Sequence, residues 1–330
     1  MSRVFFANLL SLFFSSALLA DQFGYIANQF TLDFVTISGD ASSANGTNIS
    51  QYTSDNNRYK SFTDPGNFRI SKYEITNRQW NNFRNNLGVN VTGNPLSAYD
   101  QNSYYTGDNV PVNAISIYEA MQFVNWLNTS TGHQRAYKFT GTQGQANYTF
   151  VPWSVGDSGY NASNPFRNSQ AYYFLPTENE WVKAAYWNGT TLQTYATKVG
   201  ENLYQGNGSN GGWNFKLNGD WGPSGPSDGL WNVGSGSEEL NGTFDMMGNA
   251  WELTESPYYS GDFTSDSYLA IRGGSIQYDT SLFNSAFRMA NKASWDSYAD
   301  DGFRIASIPE PTSFLFLTLA ALGLRRRRKI

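Results

Sequence analysis

The sequence predicts an α+β domain with few regular elements and much loop, on three observations. Three segments carry helix-start signatures, and short stretches elsewhere alternate apolar with polar residues. One long stretch is too rich in glycine for either kind of element.

Taken in order, the first element is a strand at Thr31–Ile37, where Leu32 and Phe34 alternate with polar neighbours. A helix starts at Thr76. Gln79 completes its capping box, Trp80, Phe83 and Leu87 share one face, and Gly88 stops it. A second helix starts at Ser116 with Glu119, followed by Met121, Val124 and Leu127. A third starts at Thr177 with Glu180, followed by Trp181, Ala184 and Ala185. Each helix should run for about 10 to 12 residues. Gly200–Gly236 holds 11 glycines in 37 residues, with Pro223 and Pro226 among them. That density rules out long helices and central strands. A loop of this length calls for a stabilising ligand or a functional surface. Two further strands are expected, at Leu269–Arg272 and Gly302–Ala306.

Composition narrows the chemistry. The 330 residues hold no cysteine and one histidine, His133. Disulfides, thiolate metal sites and a cysteine nucleophile are excluded. His133 follows Ser130, Thr131 and Gly132 in a polar loop and reads as exposed rather than catalytic. With 23 Phe, 21 Tyr and 10 Trp against 15% charged residues, the chain has the means to build a core. Setting aside the two basic ends leaves 16 basic and 26 acidic residues. Such an acidic body argues against nucleic acid as a partner, and suits bound calcium.

The ends read as addresses. Residues 1–20 look like a secretory signal peptide, with Arg3, an apolar run from Val4 to Leu19, and small residues at Ser15, Ala17 and Ala20. An uncleaved anchor is the alternative. At the other end Pro309-Glu310-Pro311 precedes an apolar run from Phe314 to Leu324, then four arginines and a lysine. Residues 309–330 resemble the PEP-CTERM sorting signal of Gram-negative bacteria, with a plain tail anchor as the alternative. The resemblance implies an exosortase as partner, transient inner-membrane contact through the tail, and association with exopolysaccharide. Secretion across the inner membrane to the cell envelope or extracellular matrix follows.

Between the ends, residues 21–308 form one expected domain. Lys72–Asn77, Pro111–Asn113 with the helix to Leu127, Leu175–Trp181, Gly242–Glu252, Ile271–Ser275 and Gly302–Arg304 occur in that order. Together they resemble the formylglycine-generating enzyme, or sulfatase-modifying factor, family. The resemblance implies a compact fold within the C-type-lectin-like architecture. It implies calcium held by Asp245, Gly248, Ala250 and Glu252, side chains from the first and last and carbonyls from the middle two. It implies a second calcium set at Asn202, Leu203, Asp228 and Leu230. In one respect the chain departs from the family. The paired catalytic cysteines would fall at Tyr278 and Phe283, so no copper is expected there.

Other polar residues invite structural readings. Glu178 and Glu180 serve the start of the third helix, by dipole and by cap. Glu74 should pair with Arg272 or Arg304. Gly273 and Gly274 mark close backbone packing rather than a phosphate loop, since the P-loop spacing is missing. Some of Trp251, Tyr258, Tyr259, Tyr268, Tyr278, Trp295 and Tyr298 would line a groove suited to sugar rings or a peptide. The expected function is a non-catalytic, calcium-stabilised module binding extracellular polysaccharide or an envelope protein. The alternatives are an enzyme of altered chemistry around Ser275, Tyr278, Phe283 and Glu255, or a purely structural scaffold.

Overall fold

The computed structural model describes residues 20–91, 104–209, 211–216, 229–292 and 298–309. The expected leader, up to residue 19, and the tail from Glu310 onward, with Pro311, lie outside these residues. Ala20, placed at the end of the leader, opens the first strand and pairs with Asp33, and Pro309 is exposed at the last described position.

The chain runs through strands β1 (Ala20–Phe23), β2 (Phe30–Ile37) and β3 (Phe68–Ser71), then helices α1 (Asn77–Leu87) and α2 (Ile117–Ser130). Short strands β4 (Phe139–Thr140), β5 (Thr149–Phe150) and β6 (Tyr173–Phe174) lead to α3 (Glu178–Tyr186). The last third holds β7 (Trp251–Pro257), β8 (Tyr268–Arg272), β9 (Met289–Lys292), β10 (Asp301–Gly302) and β11 (Ala306–Ser307). One sheet has the order β1-β2-β3-β11-β6 and a second the order β10-β7-β8-β9. Among the described residues no helix is long and apolar enough to cross a membrane.

All three helices begin at the expected residues and for the expected reason. Thr76, Ser116 and Thr177 each accept the backbone N–H three residues on, and Gln79, Glu119 and Glu180 each reach back to the capping N–H. The reciprocal bonds satisfy donors that the helix ladder leaves orphaned. Gly88 closes α1 in the left-handed conformation, φ 71°. Packing then holds the helices. Phe30, Trp80, Phe83, Phe123 and Trp126 form a stack of rings between β2, α1 and α2. On the other side Trp181, Ala184 and Tyr186 of α3 bury against Met246, Met247 and Phe283.

The expected strand at Gly302–Ala306 is a correction. Asp301–Gly302 runs parallel to Trp251–Glu252 in the second sheet, whereas Ala306–Ser307 pairs with β3 and β6 in the first. Phe303, Arg304 and Ile305 cross between the sheets. Ile75 N–H and Ser71 N–H bond to the carbonyls of Phe303 and Ile305, so the crossing residues lean on a third segment. One apolar run thus stitches two sheets together instead of extending one.

Candidate functional site

The Asp245–Glu252 loop is tightly wound. Asp245 and Asn249 sit at φ 60° and 59°, a region few side chains tolerate and Asp and Asn tolerate best. A Cβ on Gly248 would strike the carbonyl of Asn214, so the loop and that segment meet backbone to backbone. Glu252 lies wholly buried, its Oε2 accepting from Trp181 Nε1 and Arg304 Nε at 2.6 Å each. Among the described residues Asp245 Oδ2 accepts from Gly234 N–H alone, at 3.0 Å, and burial pushes its carboxyl up to about 6. The carbonyls of Gly248 and Ala250 receive no hydrogen bond from any described residue. Two carboxylates and two open carbonyls are oxygen donors of the kind calcium takes. Among the described residues no group of three or more His, Cys, Asp or Glu could hold a metal, so carbonyls would have to complete any such set.

Glu74 is not the ion-pair partner it was expected to be. It accepts from Asn249 Nδ2 at 3.0 Å and from Ala250 N–H at 3.3 Å. Arg304 pairs with Glu252, and Arg272 pairs with Glu178. Burial, then the charges of Asp245 and Glu252, raise the Glu74 carboxyl well above the usual carboxylate range. Glu74, Asp245 and Glu252, with Glu239 beside them, share one guanidinium, that of Arg304, and are left short of positive charge. Of the second calcium set, three of the four residues are described. Asn202 is exposed, Leu203 and Leu230 pack into different apolar clusters, and Asp228 lies outside the described residues.

The two positions expected to answer to the family's cysteines have different surroundings. Phe283 is sealed in the core, and a Cβ on Gly274, φ 74°, would collide with its ring. The paired glycines thus mark the close approach expected of them. Tyr278 meets the Trp251 ring edge to face at 5.5 Å. With Leu282, Phe287 and Met289 it lines an open cleft of about 280 Å³. Ser275 donates instead to Asp300 at 2.5 Å, and Glu255 belongs to a different cleft, so the four residues weighed as a substituted centre do not converge. His133 is exposed and stacks flat on Tyr172 at 4.5 Å, in keeping with a surface role.

That different cleft was not foreseen. It measures about 460 Å³ and joins the loop at 59–65, the loop at 163–167, the start of α3 and the end of β7. Its floor is ionic. Arg167 bridges Glu255 at 3.0 Å and Glu180 at 3.3 Å. Glu255 also accepts from Tyr137 Oη at 2.6 Å and Asn164 Nδ2 at 2.5 Å. Even so, burial raises its carboxyl to about 7. Glu178, expected to serve only the helix dipole, accepts from Arg272 Nε and from two Arg288 nitrogens at 2.8 Å each. Lys60, Asn164 and Arg167 lie in stretches with no motif, and the only hint in the sequence was a pair of acids at the helix start. Of the expected groove aromatics, Tyr258 lines this cleft, Tyr259 and Tyr268 extend from it as edge-to-face rings, and Trp295 lies outside the described residues.

Comparison with known proteins agrees with this architecture. Treponema denticola variable protein 1 superposes with a TM-score of 0.56 at 17% identity, over 88% of this chain and 99% of that one. A structure titled CarF superposes with a TM-score of 0.56 at 21% identity, over 84% and 99%. PvdO from Pseudomonas aeruginosa gives 0.54 at 15% identity, over 88% and 98%. At such identities the likeness is one of fold. No match was found among curated proteins. The model of the sulfatase-modifying factor enzyme 1-like domain matches residues 33–308, a span that takes in every strand from β3 on, all three helices and both clefts, and the chain belongs to that family.

Proposed function

We propose that this protein is an exported member of the family that binds rather than oxidises. Its ligand is a polysaccharide or protein of the extracellular matrix or cell envelope. The observation that carries the reading is the pair of positions where the family's cysteines would fall. Tyr278 lines an aromatic cleft there, Phe283 is core, and the chain has no thiol elsewhere to replace them. Thiol-based formylglycine synthesis has no thiol to run on, and neither Tyr278 nor Phe283 offers copper(I) a sulfur ligand. The leader-like start and the Pro309-Glu310-Pro311 tail support delivery through an exosortase to the envelope.

Calcium is part of the same reading. Asp245 and Glu252 would supply carboxylate oxygens, and Gly248 and Ala250 their carbonyls. Bound there, the ion would supply positive charge to a loop where Arg304 faces four carboxylates. The residues themselves fix the loop by strain and packing, and Glu252 ties it to α3 through Trp181.

Two assays on the purified protein test the reading. Incubation with a Cys-x-Pro-x-Arg peptide, read by mass spectrometry, should leave the cysteine unchanged. Saturable binding to exopolysaccharide or envelope protein from the source organism should be seen, and should weaken when Tyr278→Ala opens the aromatic cleft. Conversion of the peptide, or absence of any saturable ligand, would overturn it.

A further inference from the structure

The cleft between α3 and the end of β7 holds groups that the fold itself leaves unanswered. Its lining includes three cations, Lys60, Arg167 and Arg288. Arg167 is engaged by Glu180 and Glu255. Arg288 directs its nitrogens to Glu178 and to the carbonyls of Arg58, Pro257 and Tyr258. Lys60 differs. Its ammonium has no hydrogen-bond acceptor among the described residues. It stands half-buried beside one carboxylate, Glu178, that already answers two guanidiniums, those of Arg272 and Arg288. One negative charge thus faces three positive ones. Burial, opposed by Glu178 and reinforced by the two guanidiniums, holds the Lys60 amine below its ordinary range. A single anionic group from outside would relieve the imbalance.

A second group points the same way with opposite polarity. Asn164 Oδ1 is buried and accepts no hydrogen bond among the described residues, although its own amide donates to Glu255. Beside it the Glu255 carboxyl also faces the cleft. An occupant must therefore donate as well as carry charge. Tyr59, 38% exposed, and Phe263 add ring surface to the walls. The volume of about 460 Å³ falls within the usual range for small-ligand sites.

We infer that this cleft, between Lys60 and Asn164, binds an acidic sugar: a saccharide whose carboxylate meets the Lys60 ammonium and whose hydroxyl donates to Asn164 Oδ1. The inference rests on the binding function proposed above and names the ligand class. A carboxylate suits the site better than a phosphate or sulfate ester. Arg167 and Arg288 have already committed the donors such tetrahedral anions need, and a dianion would also meet Glu180 and Glu255 at close range. A sugar ring brings hydroxyls for the polar floor and C–H faces for the aromatic walls, which a simple carboxylic acid does not.

Isothermal titration calorimetry of the full chain tests this with three probes: a uronic-acid trisaccharide, the same trisaccharide with its carboxyls reduced to alcohols, and an acidic tripeptide. The uronic-acid trisaccharide should bind saturably. Its reduced form should bind about tenfold more weakly or not at all, as expected for a lost charge-assisted bond. K60Q should show a similar loss while melting at the wild-type temperature, and K198Q, at a lysine that lines neither cleft and pairs with Glu238, should bind the trisaccharide as the wild type does. Equal binding of the reduced sugar, full binding by K60Q, or tripeptide binding as tight as the sugar would each overturn the assignment. If Y278A loses the sugar while K60Q keeps it, the ligand sits in the other cleft and the wider binding function stands. If the trisaccharide fails while matrix polymer from the source still binds, only the acidic class is wrong. If no polymer or protein binds at all, the wider reading fails with it.

Discussion

Glu255 is a carboxyl group whose charged form the fold disfavours relative to water, even with Arg167 beside it. Burial dominates its environment, Arg167 opposes burial, and Glu180 reinforces it. The folded value of about 7 lies above the ordinary 4.5, so between these values the native state binds more protons than the unfolded chain. Stability from this group is then full below about pH 4.5 and lost as pH rises toward 7. The upper limit is on the order of 3 kcal/mol. Glu255→Gln removes the titration and keeps the shape. Urea midpoints of the two proteins, compared from pH 5 to 8, should show the wild type losing ground steadily and then levelling near neutrality. A constant difference across that range would show that Arg167 keeps Glu255 ionised throughout. The same residue shows what a sequence hides. Neither Arg167 nor Tyr137 lies near Glu255 in the chain, so nothing local marks it as one corner of a buried ionic network.

Elements were legible where their causes are local. Each helix start is written within four residues, and the structure reproduces all three boxes. The strand at β2 was visible because one of its faces is buried and the other half-exposed. The segment at 302–306 misled because an apolar run says that it is buried, not which sheet it joins. The candidate cleft was hidden for a related reason. It is built from five separated segments, most of which match no motif, and its charges are meaningful only once juxtaposed. The cap of α3 links these cases, since Glu180 both bonds to Thr177 N–H and holds Arg167 at the cleft floor. Thr177→Ala should cost about 1 kcal/mol by removing the acceptor for Glu180 N–H, readable as a shifted denaturant midpoint. Ser116→Ala should cost more, because Ser116 also donates to Glu119 Oε2 inside the core. Indistinguishable midpoints for both variants and wild type would mean that tertiary packing alone sets these helix ends.

At the scale of the molecule, a fold with so few regular elements needs something besides ladders to hold its loops. Part of the answer is buried arginine. Arg272 and Arg288 converge on Glu178, Arg304 on Glu252, and Arg167 on Glu180 and Glu255, each guanidinium tying together segments far apart in sequence. Removing one partner from such a pair costs about 3–5 kcal/mol, since the other is left buried and unanswered. The loop at 245–252 is where this scheme falls short. Four carboxylates, those of Glu74, Glu239, Asp245 and Glu252, gather near Arg304, three of them with raised affinity for protons, and among the described residues two carbonyls go without donors. A calcium ion in that loop would complete the pattern, and its contribution to stability follows from mass action. At about 100-fold saturation it should add about 2.7 kcal/mol. For a domain of this size that corresponds to a melting temperature roughly 5 °C lower in excess chelator. Calorimetric scans with calcium, with chelator, and with chelator followed by calcium should show the loss and its recovery, while magnesium should recover less. Asp245→Ala should melt alike in all these conditions, at or below the chelated wild type. A wild-type melting temperature indifferent to chelator would mean that proton uptake by Glu74 and Asp245, not a cation, is how the loop meets its excess of negative charge.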